Sequence, residues 1–364
     1  MARTGKRWLF YATNGFGLGH VTRAMALARQ IRARDPSSEI LFLTDCEATN
    51  LIWREGFATV KIIAFHSMQD GRIDKATATA INRATVATTY AGFRPDVMVV
   101  DGPPLGRNGE LRGILPNDAH RVLMLREVTA ETYGRAQYQS ALALYNRVIL
   151  AHRPGEVEMR FPDAVKVNEV GYFLIRSPEE RLSRAEARRR LGLPEEGFVL
   201  YVAFGGGGDL ITERFLKVVF RQAKRFPHWT LVCALPPFYV GDRPRDPDLR
   251  IVNLVHYPMV ELMPAFDAAV TMLGDNTMAE LFSVGVPSIF LPRLGMDDDQ
   301  GARARRIVQA GAGWIMDRDN DELLSPLFDA LDDPEQRARA SAAAKGFVSG
   351  NGAARAAEIL LAGD

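Results

Sequence analysis

Twice along this chain, an apolar run of strand length empties into a cluster of glycines and then into a helix-period pattern. The first run covers 7–12; Asn14-Gly-Phe-Gly-Leu-Gly-His20 follows, and Val21, Ala24, Met25 and Ala28 then recur at helical spacing through about residue 32. The second covers 198–204, continues as Gly205-Gly-Gly-Gly208-Asp209, and opens a helix pattern over about 211–226. Runs apolar on both faces suit strands of a parallel sheet, whose crossover helices cover each side. Glycines at the strand-to-helix turn let a ligand approach the backbone and leave helix N–H groups open to an anion. Further runs at 39–44, 59–63, 97–101, 121–125 and 147–151 extend the first series, and those at 228–235, 249–254, 268–273 and 287–291 the second. The fold class expected is α/β, with two mostly parallel sheets.

A length of 364 residues fits two domains. The texture changes between Gly171 and Gly197, where Arg, Glu and Pro accumulate. Ser183-Arg-Ala-Glu186 has the form of a capping box there, and the cationic stretch 184–190 reads as a solvated linker helix. The expected organisation is a first domain over 1–172, a linker over 173–195 and a second domain over 196–345. A closing segment, 346–364, carries a last helix pattern over about 353–361, open to packing on either half, a return to the first domain being one option. The crevice between two such halves is the default ligand site.

Charge and cysteine usage exclude several classes. Forty-five Lys and Arg against forty-four Asp and Glu leave a net charge of +1, so no nucleic-acid partner is expected. Cys46 and Cys233 are far apart and read as two buried thiols of a reducing compartment. The six histidines show no metal-ligand spacing, and no apolar stretch approaches the roughly 18 residues that cross a bilayer. A cytoplasmic protein without metal or cofactor is the expectation.

Three clusters carry chemistry. In the first, Asp45 ends the second strand as the ribose acid of a dinucleotide site would. Gly15-x-Gly17-x-Gly19-His20, however, puts histidine where a dinucleotide fingerprint needs glycine, so a dehydrogenase is the weaker reading. Gly17 and Gly19 are acceptor-side candidates. His20, at a loop–helix junction, suits a base near neutral pH as well as it suits a local cap. In the second cluster, Gly205, Gly206, Gly207 and Gly208 expose consecutive N–H groups able to cradle a diphosphate. The third is the most specific. Gly274-Asp-Asn276-Thr277 turns a strand into a short helix, and Gly285 ends that helix. Glu280 stands one turn in, able to accept from a ribose diol, while Asp299 and Gln300 follow the next strand. Asp297–Asp299 has the composition of a metal-binding acidic motif, but it sits late in the chain behind a strand of the second domain. Arg126 and Glu127 end a strand, with Glu127 an acceptor candidate and a structural ion pair the blander alternative.

With those residues in view, the chain resembles a GT-B-fold glycosyltransferase, most closely the MurG-like family 28 branch with its family 1 relatives. The resemblance runs through the loop ending in His20, Arg94-Pro-Asp-Val-Met-Val-Val-Asp101, the second glycine loop and the 274–300 block. It implies two Rossmann-like domains facing across a cleft, with a nucleoside diphosphate sugar held mainly by the second. By position it gives Glu280 the ribose, and gives Gly274, Asn276, Thr277 and Gly205–Gly208 the diphosphate. Asp299 and Gln300 would take the donor sugar, while His20 and Asp101 become base and orienting carboxylate. The implied reaction is inverting, metal-independent transfer from a UDP- or dTDP-linked sugar to an acceptor hydroxyl. A nucleotide-sugar hydrolase, a 2-epimerase and an inactive binder share the same fold. Stretches 64–95 and 102–120 read as motif-free acceptor loops. They lean toward a small-molecule acceptor, with a lipid-linked acceptor and peripheral membrane contact as the alternative.

Overall fold

The computed structural model describes residues 5–13, 17–203, 210–237, 239, 241–293, 295, 297–316 and 321–363. They form two compact units. One comprises Met1–Ile175 with Asn351–Asp364, and the other Arg176–Gly350.

The first unit is built on seven parallel strands: β1 (Arg7–Ala12), β2 (Glu39–Thr44), β3 (Ala58–Lys61), β4 (Val97–Asp101), β5 (His120–Leu125), β6 (Arg147–Leu150) and β7 (Lys166–Glu169). Their order is β3-β2-β1-β4-β5-β6-β7. The chain therefore lays β2 and β3 to one side of β1 and then returns to lay β4 on the other. At that reversal the loops leaving β1 and β4 diverge, opening a crevice at the strands' carboxyl ends. Register fixes who meets there: Ala12 pairs with Asp101, and Thr13 N–H donates to the Asp101 carbonyl. Helix α1 (Gly19–Arg34) follows β1 directly.

One expectation for this unit is corrected. Stretch 64–95 is not a loop but carries a short helix, Phe65–Gln69, and the long helix α2 (Lys75–Phe93). Only Ala78, Asn82 and Val86 of α2 are buried, a stripe of small and polar residues too thin to read as a helical face. Asn82 belongs to it because its amide both accepts from Ile63 N–H and donates to Ile63 C=O. The turns of 102–119 have an internal centre that the sequence did not disclose. Buried Glu110 accepts from Tyr11 Oη and from the N–H groups of Arg107 and Asn108.

The C-terminal helix Gly352–Ala362 completes the first unit, burying Ala353, Ala356, Ala357 and Leu360. Its entry is locked. Asn351 accepts from Leu174 N–H and donates to Leu174 C=O, and Gly352 N–H donates to Tyr172 C=O. A Cβ at Gly352 would lie 2.2 Å from the Gly171 carbonyl oxygen, so only glycine fits.

The second unit repeats the plan with six strands: β8 (Phe198–Ala203), β9 (Trp229–Ala234), β10 (Arg250–Leu254), β11 (Ala268–Met272), β12 (Ser288–Leu291) and β13 (Gly313–Ile315). They are ordered β10-β9-β8-β11-β12-β13. The reversal here lies between β8 and β11. Trp229, stacked on Phe198 and Phe226, anchors the core. Within 173–195, Ser183 and Glu186 form the expected capping box at the start of helix α3 (Arg184–Arg190). The helix is not a solvated linker, however. Arg188 is fully buried, donating to the carbonyls of Ala265, Pro194, Glu195 and Gly197 and to Asp267. A five-donor guanidinium satisfies that ring of acceptors as no other side chain does. Both cysteines are buried and unbonded, and among the described residues no helix is long and apolar enough to cross a membrane.

Arg188→Met leaves the carbonyls of Ala265, Pro194, Glu195 and Gly197 without this donor, while Asp267 keeps Arg184 Nη2 and Val199 N–H. It should lower the unfolding free energy by about 1–3 kcal/mol in urea titrations. A change within about 0.5 kcal/mol would show that water replaces the guanidinium.

Candidate functional site

In the first unit, the chain leaves β1, passes Gly17 at φ 114°, a conformation open to glycine, and enters α1 at Gly19. No side chain caps this helix start, and its first turn holds no acid. His20 is the second residue of α1 and Asp101 the last of β4, so the β1–β4 register brings them together. Asp101 Oδ1 lies 2.6 Å from His20 Nδ1. Arg23, three residues on and therefore on the same helix face, grips the same carboxylate with two nitrogens: Nε to Oδ2 at 3.1 Å and Nη2 to Oδ1 at 2.6 Å. Asp101 and Arg23 are buried, while the His20 side chain keeps 23% of its surface exposed.

This geometry fixes the tautomer. An oxygen–nitrogen approach of 2.6 Å needs a proton between the atoms, and Asp101, held between Arg23 and His20, has its pKa pulled down against the upward push of burial. Nδ1 therefore donates, and Nε2 carries the lone pair. Arg23 Nη2, 2.9 Å from Nδ1, then acts as a fixed positive charge against the ring. Burial lowers the His20 pKa. Asp101 opposes that shift, while the charges of Arg23 and Arg126 add to it. The imidazole is thus neutral at pH 7 with Nε2 basic.

Arg126 and Glu127 follow β5. Glu127 is buried, and its backbone N–H donates to His152 Nε2 at 2.9 Å, so His152 is a structural histidine that holds this turn. Gly17 and Gly19 flank the start of α1 as described.

In the second unit, helix α4 (Asp275–Val284) leaves β11 through Gly274 with no side-chain cap, and Gly285 closes it at φ 82°. Asn276 and Thr277 are half-buried in its first turn. Asp275 turns into the protein, where Arg303 Nε lies 3.5 Å from its Oδ1. Glu280, one turn on, is only 8% exposed, yet among the described residues no hydrogen-bond donor reaches its carboxylate. Burial pushes its pKa up to about 7, against the pull of Arg181 and Arg176. A buried carboxyl in that state is poised to accept hydrogen bonds from a diol.

Helix α5 (Gln300–Gln309) follows β12. Asp299 caps it, accepting from Ala302 N–H at 2.8 Å. The Gln300 amide accepts from Arg293 N–H at 2.7 Å and donates to Asp298 Oδ2 at 3.1 Å. Both side chains are thus already engaged within the protein, where the sequence suggested sugar contacts. Asp298 is buried against Arg303, so the acidic run does not converge on a common point, and among the described residues no three His, Cys, Asp or Glu are grouped to hold a metal. Gly205–Gly208 lie outside the described residues. Sequence reasoning passed over Arg23, Arg303 and Arg181. The first was legible as the i+3 neighbour of His20.

Residues 248–359 match the glycosyltransferase family 28 C-terminal domain. Over 96% of both chains, the protein is 26% identical to the UDP-N-acetylglucosamine--N-acetylmuramyl-(pentapeptide) pyrophosphoryl-undecaprenol N-acetylglucosamine transferase of Acetivibrio thermocellus. Its fold is similar to that of Acinetobacter baumannii MurG, with TM-score 0.64 and 17% identity over 98% of this chain and 99% of that one. The glycosyltransferase of kitacinnamycin is alike to the same degree, with TM-score 0.67 and 18% identity over 98% and 99%. Two parallel sheets with a crevice at each strand-order reversal, a full-length likeness to MurG-type transferases and the matched domain together identify the chain as a MurG-like glycosyltransferase of the GT-B fold with a family 28 C-terminal domain.

Proposed function

We propose that the chain transfers a sugar, with inversion and without a metal ion, from a uridine or thymidine diphosphate sugar to an acceptor hydroxyl. The observation that carries this reading is the Asp101–His20 pair, which makes Nε2 the basic nitrogen of the ring. Nε2 takes that proton as the acceptor oxygen attacks the anomeric carbon, and the bond from that carbon to the diphosphate oxygen breaks on the opposite face. The imidazolium so formed is stabilised by Asp101. The departing diphosphate is assigned to the uncapped N-terminus of α4, with Gly274, Asn276 and Thr277. Glu280 takes the ribose hydroxyls. Gly205–Gly208 and the rims formed by Asp299 and Gln300 remain part of the donor assignment. Gly17, Gly19 and Glu127 belong to the acceptor side. Metal independence rests on helix N–H groups serving the leaving group while Asp298 and Asp299 are engaged elsewhere.

The full-length relatives supply the substrates to test first. The Acetivibrio thermocellus protein is named for a UDP-N-acetylglucosamine donor and an undecaprenol-linked acceptor. That likeness supports a lipid-linked acceptor over a soluble small molecule, and with it the peripheral membrane contact that such an acceptor requires.

His20→Ala should lower kcat by about two to four orders of magnitude, while UDP still stabilises the protein against heat as it does the parent. Loss of UDP stabilisation in a folded His20→Ala protein would reassign the residue to the donor. In the parent with donor saturating, so that the Glu280 ionisation drops out, the acid limb of kcat/KM for the acceptor should fall below the ordinary imidazole value of about 6.5, because only neutral His20 accepts the proton.

Glu280 gives a second dependence. Its carboxyl, raised to about 7, must ionise to accept from the ribose diol. UDP affinity should therefore climb up to about tenfold between pH 6 and pH 8. Calorimetry on Glu280→Gln should show weaker and pH-flat binding; an unchanged slope in that variant would remove Glu280 from the donor site.

A further inference from the structure

Helix α4 poses an electrostatic problem. The N-terminus assigned to a diphosphate begins with Asp275, whose charge would repel that ligand. The side chain is turned away, and beside it stands the cation of Arg303, on α5, with none of its surface exposed. Its guanidinium reaches three places at once. Nε faces Asp275 Oδ1 at 3.5 Å, Nη1 donates to Leu273 C=O at 3.2 Å, and Nη2 donates to Asp298 Oδ1 at 2.8 Å. Leu273 and Asp275 belong to the turn after β11. Asp298 belongs to the turn after β12, and its other oxygen accepts from the Gln300 amide. One buried cation therefore neutralises the acid at the α4 N-terminus and, through Asp298, sets the orientation of Gln300.

We propose that Arg303 is a positioning residue of the donor site, holding Asp275 inward so that the α4 N-terminus accepts a diphosphate, and clamping the β11 and β12 turns to one another. This rests on the donor-site reading above. The buried, donor-less carboxyl of Glu280 on the same helix is the independent sign that a ligand belongs there. Arg303 touches no substrate; its effect is on the charge and shape of the groups that do.

The test titrates the full chain with UDP and with uridine, in the parent, Arg303→Gln, Asp275→Asn and the double variant. Arg303→Gln should weaken UDP about tenfold or more while uridine stays within about twofold, since an unmasked carboxylate opposes only the phosphates. Adding Asp275→Asn should bring UDP back to within about threefold of the parent, and Asp275→Asn alone should bind UDP at least as tightly as the parent. A merely structural role cannot produce that rescue. Equal losses for UDP and uridine in Arg303→Gln, or a double variant no tighter than Arg303→Gln, would overturn the proposal. If Arg303→Gln does not fold, Asp275→Asn decides: weaker UDP binding sinks the proposal and unchanged or tighter binding supports it. A parent that binds uridine but gains nothing from the phosphates of UDP also overturns it while leaving the ribose assignment standing. A parent that binds neither UDP nor dTDP removes the donor-site reading itself, and this inference with it.

Discussion

A carboxylate drawn away from water is held best by a cation drawn in with it, and three arginine–aspartate pairs organise this protein. Arg23 holds Asp101, Arg188 holds Asp267, and Arg303 holds Asp298 with Asp275 alongside. Each aspartate lies at a sheet margin where the backbone turns: Asp101 ends β4, Asp267 precedes β11, and Asp298 precedes α5. Burying a charge there is costly, and the cost is offset only when geometry and hydrogen bonds are nearly complete. The guanidinium meets that condition because its planar fork can serve a carboxylate and several carbonyls together. The consequence is local rigidity where loops would otherwise be free, at the strand ends where ligands are expected.

The same device sets the chemistry in the first unit. Without Arg23, Asp101 would be balanced by His20 alone, and the pair would favour a protonated imidazole. With Arg23 in place, the carboxylate already has its cation, and burial, joined by the charge of Arg23, keeps the ring neutral while it still donates from Nδ1. Asp101 thus fixes the ring's orientation without spoiling Nε2 as a base. In the second unit Glu280 has no such partner within hydrogen-bonding reach among the described residues, and its carboxyl rises instead. The contrast separates a carboxylate the fold has already satisfied from one left for something else.

The central strands were legible because continuous apolar runs have few other homes, and the glycine turns because they interrupt those runs. Register was not legible, yet it is register that sets Asp101 beside His20. The edge strand β7 was missed because it is short, only partly buried and lacks an apolar run, and β13 because it spans only three residues and opens on the last glycine of a Gly-Ala-Gly stretch. Helix α2 was read as a loop because its inward face is alanine, asparagine and valine rather than leucine. Among the site residues, those whose role follows from local turn geometry, such as Gly274 and Gly285, could be placed from their neighbours. The arginines could not. An arginine in a cationic run looks solvated until its partner is known, and Arg188 finds Asp267 seventy-nine positions away. Asp299 and Gln300 stood out by spacing, but spacing does not disclose that one caps a helix and the other is held by Arg293 and Asp298.

The first unit is discontinuous in the chain: Tyr172 and Leu174 receive Asn351 and Gly352 only after the whole of the second unit has been traversed. During synthesis the seat for this helix is therefore made early and filled late. A nascent chain that has reached only the second unit holds an unfinished first unit with that apolar seat uncovered, and the second unit has its full sequence before the first does. Closure of the first unit thereby waits on the whole of the second, and a product truncated before residue 351 would carry both sheets yet lack the helix that closes the first.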